Sequence, residues 1–245
     1  MNKIAAIVLA AGKGKRMKSK EINKVVLPLG NKQMILHTMD LLDKINIKRK
    51  IVVVGFAKKS VIDLLGQRVV FAHQRKRLGT AHAVRVALKY LPKEARDVLI
   101  LYGDDSAFYK KETIKSLIER HKEKDSSFTF LTIELDNPTG LGRVIRNEMG
   151  KVTGIVEEKD ARKEQKRIKE INPACYIFRV EFLRKYLRKI KKSPITGEYY
   201  LTSLIDLAIK NKQNLEAVKG GKILWRGINT YEELKEAERL FLQAK

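Results

Sequence analysis

Short runs of consecutive apolar residues alternate along the chain with longer segments in which apolar residues recur every three or four positions. The continuous runs predict strands buried on both faces, at residues 4–11, 51–54, 69–72, 98–102 and 128–133. The periodic segments predict amphipathic helices at 34–45, 58–65, 79–91 and 112–122. This alternation is typical of an α/β fold with a mainly parallel sheet covered by helices.

The second half of the chain is less regular. Two short β-type pieces predict a hairpin, and the remaining pattern predicts a strand, further helices and a last apolar piece, at 142–145, 152–156, 171–180, 181–190, 199–209, 223–225 and 231–242. The basic stretch 161–170 is predicted to be helical or irregular. Thr80 is the predicted N-cap of the third helix, and Thr230 with Glu233 predicts a capping box on the last one.

The first strand ends in a loop that is rich in glycine and in positive charge. Gly12 and Gly14 let the backbone turn sharply and approach a ligand closely, because they lack a Cβ. The lysines of this loop and Arg16 suit a phosphate chain. The dinucleotide fingerprint is excluded because position 17 is Met17, and no P-loop string occurs. From the loop alone, a phosphate-binding loop and an ordinary strand-to-helix turn with solvated lysines are equal alternatives.

A carboxylate, Asp104, follows the predicted strand 98–102. Ligands of parallel sheets collect at the carboxyl ends of the strands, so we expect Asp104 to lie near the glycine loop. An acid beside a phosphate-binding loop predicts Mg²⁺ on a polyphosphate, with Asn229 as a second oxygen donor, because this ion prefers few protein ligands and phosphate oxygens. Phosphoryl or nucleotidyl transfer needs mainly positioning and charge neutralisation, and the chain has no nucleophile-elbow motif.

The net charge of +24 indicates a strongly basic surface, which attracts phosphate-bearing molecules. No DNA- or RNA-binding motif accompanies it, so we expect no specific nucleic-acid partner. The single cysteine, Cys175, predicts a buried structural thiol, and the four histidines lack the spacing of zinc ligands. No run of 18 apolar residues and no cleavable signal occur, so a cytoplasmic protein without a membrane span is expected.

Seven strings, in order along the chain, are similar to motifs of the sugar-1-phosphate nucleotidyltransferase family. They are Leu9-Ala-Ala-Gly-Lys-Gly-Lys-Arg-Met17, Gln74 with Leu78-Gly-Thr-Ala-His-Ala83, Tyr102-Gly-Asp104, Gly140 with Gly142-Arg-Val144, Gly154-Ile-Val-Glu-Glu-Lys-Asp-Ala161, Glu170-Ile-Asn172, and Gly197-Glu-Tyr-Tyr-Leu-Thr202, with Asn229 after them. The chain most resembles the N-terminal uridyltransferase domain of bacterial N-acetylglucosamine-1-phosphate uridyltransferase. The family's left-handed β-helix domain is not matched, so neither acetyl transfer nor the usual trimer is expected.

The resemblance implies a Rossmann-like three-layer sandwich with a mainly parallel mixed sheet and a small β-rich sugar-binding subdomain. One domain would cover 1–245, with a nucleotide-binding half at 1–135, a sugar-binding half at 136–229 and a C-terminal helix at 230–245. In the implied reaction a sugar-1-phosphate attacks the α-phosphorus of an NTP and pyrophosphate leaves. UTP and N-acetylglucosamine-1-phosphate are the leading substrates.

The resemblance also implies roles for particular residues. Arg16 and Lys24 would be the catalytic cations that neutralise the triphosphate, and Asp104 and Asn229 would hold Mg²⁺. The nucleotide would be bound by Leu9, Ala10, Ala11, Gly12, Lys13, Gly14, Gln74, Gly79 and Thr80. The sugar would be bound by Tyr102, Gly103, Gly140, Glu157, Asn172 and Thr202.

Several positions depart from the family's pattern, mostly where substrates are selected: Lys15, Asn23, Arg77, Asp105, Leu141, Ala174 and Ser203. Arg77 adds a charge near the base, and Ala174 adds a Cβ beside the sugar. The same reaction with glucose-1-phosphate and UTP or dTTP is therefore an alternative. Another alternative is a catalytically weak protein that binds nucleotide sugars or polyanions. The sequence predicts no oligomeric state.

Overall fold

The computed structural model describes residues 3–14, 21–221, 223 and 225–243. A mixed sheet lies at the centre of the protein. Its strands, together with a separate two-stranded pair, are β1 (Ile4–Ala10), β2 (Pro28–Leu29), β3 (Lys32–Gln33), β4 (Lys50–Val54), β5 (Val70–His73), β6 (Asp97–Tyr102), β7 (Phe128–Glu134), β8 (Arg143–Arg146), β9 (Val152–Val156), β10 (Glu170–Ile171), β11 (Tyr176–Arg179) and β12 (Leu215–Lys219). The α-helices are α1 (Met34–Lys44), α2 (Lys58–Leu65), α3 (Thr80–Ala87), α4 (Lys111–Glu123), α5 (Lys163–Lys166), α6 (Val180–Tyr186), α7 (Ser203–Lys210) and α8 (Tyr231–Gln243). Short 3₁₀ helices cover Lys24–Val26, Gly66–Arg68, Leu88–Tyr90, Ser106–Phe108 and Leu187–Lys189.

The central sheet is mainly parallel. Its strand order is β5-β4-β1-β6-β11-β7-β10-β8-β9, and β12 also pairs with β7. Strand β1 lies between β4 and β6 and is parallel to both, whereas β11 is antiparallel to its neighbours β6 and β7. Strands β8, β9 and β10 form a small antiparallel extension, which contains the predicted hairpin. The predicted Rossmann-like α/β fold with a small β-rich part is confirmed.

Both faces of the sheet are apolar, which accounts for the continuous apolar runs in the sequence. Along β1, Ala6 and Val8 pack into one cluster of buried side chains, and Ala5 and Ile7 pack into another. Successive strand residues point to opposite faces, so both clusters draw on the same run. Helices α1, α2, α4 and α8 cover the first face, and α3, α6 and α7 cover the second. Across the described ranges, no helix combines the length and the apolar character needed to cross a membrane.

The strand predicted at 171–180 is two strands, β10 and β11, which both pair with β7 and run antiparallel to it. Between them, Asn172 Oδ1 accepts a hydrogen bond of 3.1 Å from the N–H of Ala174, which adopts a φ of +61°. Pro173 has no N–H and cannot donate to a strand ladder. This local turn interrupts an apolar run that reads as continuous in the sequence.

Thr80 is the first residue of α3 rather than its N-cap. Gly79 occupies the N-cap position with a φ of +101° and no side chain to cap the helix. The Thr80 hydroxyl instead accepts a hydrogen bond of 2.9 Å from the N–H of Leu201. A long-range contact has therefore replaced the predicted local one.

The helix predicted at 199–209 begins later than expected, and strand β12 of the central sheet was not predicted. The backbone of Tyr199 pairs with Leu78 and Ala81 next to α3, so the helix starts at Ser203. Strand β12 is half-buried and mixes apolar with charged residues. It therefore lacks the apolar run that identified the central strands.

Candidate functional site

The candidate site lies at the carboxyl ends of β1 and β6. Leu9 and Tyr102 are register partners there, and both line a cavity of about 660 Å³, which we call the β1 cavity. The other predicted site residues that line it are Ala10, Ala11, Gly12, Lys13, Gly14, Lys24, Gln74, Gly79, Thr80, Asp104 and Asn229. The structure therefore brings the predicted nucleotide and metal residues of the described ranges to one place.

The side chain of Asn23 ties the glycine loop to neighbouring segments. It is fully buried, and its Nδ2 lies 3.0 Å from the carbonyl oxygen of Ala10, 3.2 Å from that of Gly12 and 2.8 Å from that of Phe56. Its Oδ1 accepts a hydrogen bond of 3.2 Å from the N–H of Val25. Asn23 entered the sequence comparison only as a departure from the family's pattern, yet it links the end of β1 to the segment that carries Lys24.

The ammonium of Lys24 forms an ion pair with the carboxylate of Asp104. It also donates a hydrogen bond of 2.8 Å to the carbonyl oxygen of Ile228. The two side chains are 15% and 10% exposed, so this charge is held in place and only partly solvated. Arg16, the other predicted catalytic cation, lies outside the described residues, as does Lys15.

Asn229 directly precedes the capping box of α8. Glu233 Oε2 accepts hydrogen bonds from the N–H of Thr230 at 3.0 Å and from the N–H of Asn229 at 2.6 Å. In return, the Thr230 hydroxyl accepts from the N–H of Glu233 at 3.1 Å. The predicted capping box is confirmed, and it also fixes the backbone of a predicted metal ligand.

Asp104 and Asn229 offer oxygen donors to the same cavity, beside a basic loop. This donor set fits Mg²⁺, which takes one or two protein oxygens and completes its shell with phosphate oxygens and water. Asp105 is also buried, and its Oδ1 has no hydrogen-bond partner among the described residues. Burial, and then the charge of Asp104, raise the pKa of Asp105 well above its ordinary value.

Gln74 and Gly79 form another wall of the β1 cavity. Gln74 is 4% exposed, and its Nε2 donates a hydrogen bond of 3.1 Å to the carbonyl oxygen of Gly79. The same Nε2 lies 3.0 Å from Nδ1 of His82. A Cβ on Gly79 would lie 2.5 Å from the carbonyl oxygen of Tyr199, and its φ is +101°, so glycine is required there.

Three of the six predicted sugar residues line a cavity, Tyr102 in the β1 cavity and the other two elsewhere. Glu157 and Thr202 line a second cavity of about 390 Å³, and the Thr202 hydroxyl donates to Glu157 Oε1 over 2.9 Å. Burial raises the pKa of Glu157, and the Thr202 hydrogen bond opposes this shift. The Tyr102 hydroxyl lies near Thr80 and Glu157, and burial raises the pKa of Tyr102. Tyr102 therefore connects the β1 cavity with the sugar residues.

The other predicted sugar residues line neither of these two cavities in the described structure: Gly103, Gly140 and Asn172. The N–H of Gly140 donates to the Glu158 carboxylate at 3.1 Å, and Asn172 donates to the Tyr176 hydroxyl at 2.6 Å. Their contacts with a sugar stay predictions.

Some residues that line the β1 cavity were not assigned to the site from the sequence. Lys159 and Glu198 both line it. Both also fall within strings that resemble family motifs. Arg77 lines it as well, and the sequence identifies this residue only as a departure from the family's pattern near the base. The motif strings therefore contain Lys159 and Glu198, but they do not indicate that the two side chains face the cavity.

Comparison with known proteins identifies the family. The profile of the family described as "Nucleotidyl transferase" matches residues 5–244. "Bifunctional protein GlmU" of Caldanaerobacter subterraneus is 40% identical over 240 residues, which are 98% of this chain and 52% of the relative. The protein of the same name from Exiguobacterium sibiricum is 39% identical over 95% of this chain and 52% of the relative. That of Desulfotalea psychrophila is 36% identical over 97% of this chain and 70% of the relative.

A solved structure supports the fold. A putative glucose-1-phosphate thymidylyltransferase from Bacillus anthracis, in complex with sucrose, superimposes with a TM-score of 0.81 and 21% identity. The match covers 97% of this chain and 95% of that one. This chain spans about half the length of the first two GlmU relatives. The family assignment is confirmed by the profile match and the relatives together: this chain belongs to the nucleotidyl transferase family.

Proposed function

We propose that this chain transfers UMP from UTP to N-acetylglucosamine-1-phosphate and releases pyrophosphate. In this reaction a phosphate oxygen of the sugar-1-phosphate attacks the α-phosphorus of UTP. The bond between that phosphorus and the oxygen that bridges to the β-phosphate breaks, and the bridging oxygen leaves with pyrophosphate. The observation that carries the proposal is the convergence of the glycine loop, Lys24, Asp104 and Asn229 on the β1 cavity.

The arrangement of charge suits this chemistry. Transfer between phosphates depends on in-line positioning and on neutralising the negative charge of the transferring group. Lys24 is already held by Asp104 and Ile228, so little reorganisation is needed when a triphosphate arrives. Among the described residues, no heavy atom lies within 4 Å of the place that a Cβ of Gly12 would take, so the backbone there has open space for phosphate oxygens. When bound at Asp104 and Asn229, Mg²⁺ would neutralise further phosphate charge.

The acceptor sugar is proposed to lie near Tyr102, Glu157 and Thr202. The Glu157 carboxylate is an acceptor for sugar hydroxyl or amide hydrogens, and its bond with Thr202 fixes its orientation. Tyr102 connects this pair with the β1 cavity, so a sugar held there would carry its phosphate toward the nucleotide.

A grid of pyrophosphate-release assays tests the proposal. UTP, dTTP, CTP, ATP and GTP are each paired with N-acetylglucosamine-1-phosphate and glucose-1-phosphate, in the presence of Mg²⁺. The highest kcat/KM is expected for UTP with N-acetylglucosamine-1-phosphate. An absence of release for every pair would overturn the proposal, and intact nucleotide binding without turnover would favour a binding protein.

Glucose-1-phosphate is the second candidate acceptor, and Ala174 is the observation that favours it. Ala174 is half-buried and adopts the left-handed backbone conformation that favours glycine, with a φ of +61°. Its methyl group adds volume next to Asn172, whose Oδ1 binds its N–H. Glucose-1-phosphate lacks the N-acetyl group and needs less room. Pyrophosphate release with glucose-1-phosphate and either UTP or dTTP, but not with N-acetylglucosamine-1-phosphate, would support this candidate.

A further inference from the structure

The side-chain amide of Gln74 is held by two partners in the wall of the β1 cavity. Its Nε2 lies 3.1 Å from the carbonyl oxygen of Gly79 and 3.0 Å from Nδ1 of His82. The backbone N–H of Gln74 donates to the carbonyl oxygen of Val54 at 2.8 Å, which fixes the main chain as well. Gln74 is 4% exposed, so these contacts replace water almost completely.

The identity of the partners determines which way the amide faces. A carbonyl oxygen can only accept, so the atom that contacts Gly79 is the NH₂ group of Gln74. An imidazole nitrogen that meets the same NH₂ group must also accept, so Nδ1 of His82 carries no proton. Burial, and then Arg85, lower the pKa of His82, which favours this neutral form.

Both donors of the Gln74 amide are then used, and Oε1 is its only free polar atom. No described residue donates a hydrogen bond to Oε1, and Gln74 lines the cavity beside Leu9, Gly79 and Thr80. A ligand that meets this side chain therefore meets an acceptor.

We propose that His82 is a positioning residue that holds the Gln74 amide with Oε1 toward the base, so that the site selects pyrimidines with a ring N–H. Uracil and thymine carry an N3–H that can donate to Oε1. Cytosine has an unprotonated N3 whose lone pair would face Oε1 and repel it. This inference rests on the proposed nucleotidyl transfer and names a residue that selects its base.

Three variants test the inference. His82→Leu removes the acceptor, whereas His82→Asn keeps an oxygen at about the place of Nδ1. His73→Leu makes the same change at an exposed histidine at the end of β5. Nucleotide affinity is measured for UTP and CTP by calorimetry without acceptor sugar, and steady-state kinetics follow with it.

In His82→Leu, the preference for UTP over CTP is expected to fall about tenfold, through a higher KM for UTP and little change in kcat. Tenfold is the factor for about 1.4 kcal/mol, the size of one hydrogen bond. His82→Asn and His73→Leu should keep the preference of the unmodified chain. The nitrogen-15 NMR spectrum of the unmodified protein should show Nδ1 of His82 without a proton.

The outcomes separate the two proposals. An unchanged UTP preference in a folded His82→Leu protein, or a protonated Nδ1, overturns the role of His82 while nucleotidyl transfer stands. Equal losses in His82→Leu and His82→Asn mean that the ring's bulk matters and the acceptor does not, which also overturns it. If the unmodified chain binds no nucleoside triphosphate, both proposals fail.

Discussion

The ammonium of Lys24 lies against the carboxylate of Asp104, and the two residues come from the segment after the glycine loop and from the end of β6. Asp104→Asn keeps the size of the side chain and removes its charge. We expect turnover to fall by at least about a thousandfold, because a charged ligand at the phosphates is lost. Pyrophosphate release measures this loss, and thermal unfolding checks that the fold is intact. The control is Asp63→Asn on the exposed side of α2, which should keep the unmodified rate. Near-normal turnover in Asp104→Asn would contradict the metal assignment.

Asn23→Ala removes the side chain that binds three backbone carbonyl groups around the glycine loop. Buried carbonyl oxygens that lose their partner cost about 1–3 kcal/mol, so we expect the free energy of unfolding to fall by about 2–3 kcal/mol. Urea titration measures this change. As a control, Asn211→Ala removes an exposed amide that donates to Leu207, and should change stability by less than about 0.5 kcal/mol. Similar decreases in the free energy of unfolding of both variants would mean that the buried hydrogen bonds of Asn23 stabilise the fold no more than an exposed one does.

Gly12→Ala should weaken nucleotide binding, whereas Gly79→Ala should destabilise the fold. No heavy atom of the described residues lies within 4 Å of a Cβ built on Gly12, so the free energy of unfolding of Gly12→Ala should stay within about 1 kcal/mol of the unmodified value. Its KM for UTP should rise at least about tenfold, because the methyl group occupies ligand space. A Cβ on Gly79 would collide with the Tyr199 backbone at a φ of +101°, so unfolding should become easier by at least about 2 kcal/mol. Urea titration and initial rates separate the two effects. An unchanged KM in Gly12→Ala would show that the loop does not contact the nucleotide.

The carboxyl of Glu157 links stability to pH. Burial raises its pKa above the ordinary value of 4.5, although the Thr202 hydrogen bond opposes this. The folded state therefore binds this proton more tightly than the unfolded state, and stability is lost as pH rises from about 4.5 through the raised pKa. Glu157→Gln removes this loss, so its free energy of unfolding relative to the unmodified chain should increase with pH across that window.

Urea titrations at a series of pH values measure the effect of Glu157→Gln. The exposed Glu148→Gln serves as the matched control, and its difference from the unmodified chain should stay flat over the same window. A flat difference for Glu157→Gln as well would mean that this carboxyl does not carry the pH dependence.

The parts of the fold that were predictable from the sequence are those in which local pattern and burial agree. β1, β4, β6, α1 and α2 lie within a residue or two of their predicted bounds, because their strands are apolar on both faces and their helices have one apolar face. The placement of β11 between β6 and β7 could not be predicted, because strand order depends on pairing between distant segments.

The same division holds for the candidate site. Gly12 and Asp104 follow apolar strands, so their presence at one sheet edge could be expected from the chain itself. Asn23 could not be assigned a role, because its amide binds a carbonyl group 33 positions away. The hydrogen bond between Thr80 and Leu201 could not be predicted either, because the capping pattern describes only neighbours in the sequence.

The hydrogen bond from Lys24 to Ile228 also has a consequence for the order in which the protein forms. It joins positions 204 residues apart, and the backbone of the adjacent Asn229 is fixed by α8. During synthesis the glycine loop, Lys24 and Asp104 leave the ribosome long before Ile228. The sheet around β1, β4 and β6 has its partners early, whereas the charged centre is completed only when the segment before α8 docks. A nascent chain can therefore pair β1, β4 and β6 before the segment that completes both the charged centre and the buried cluster beneath α8 has docked.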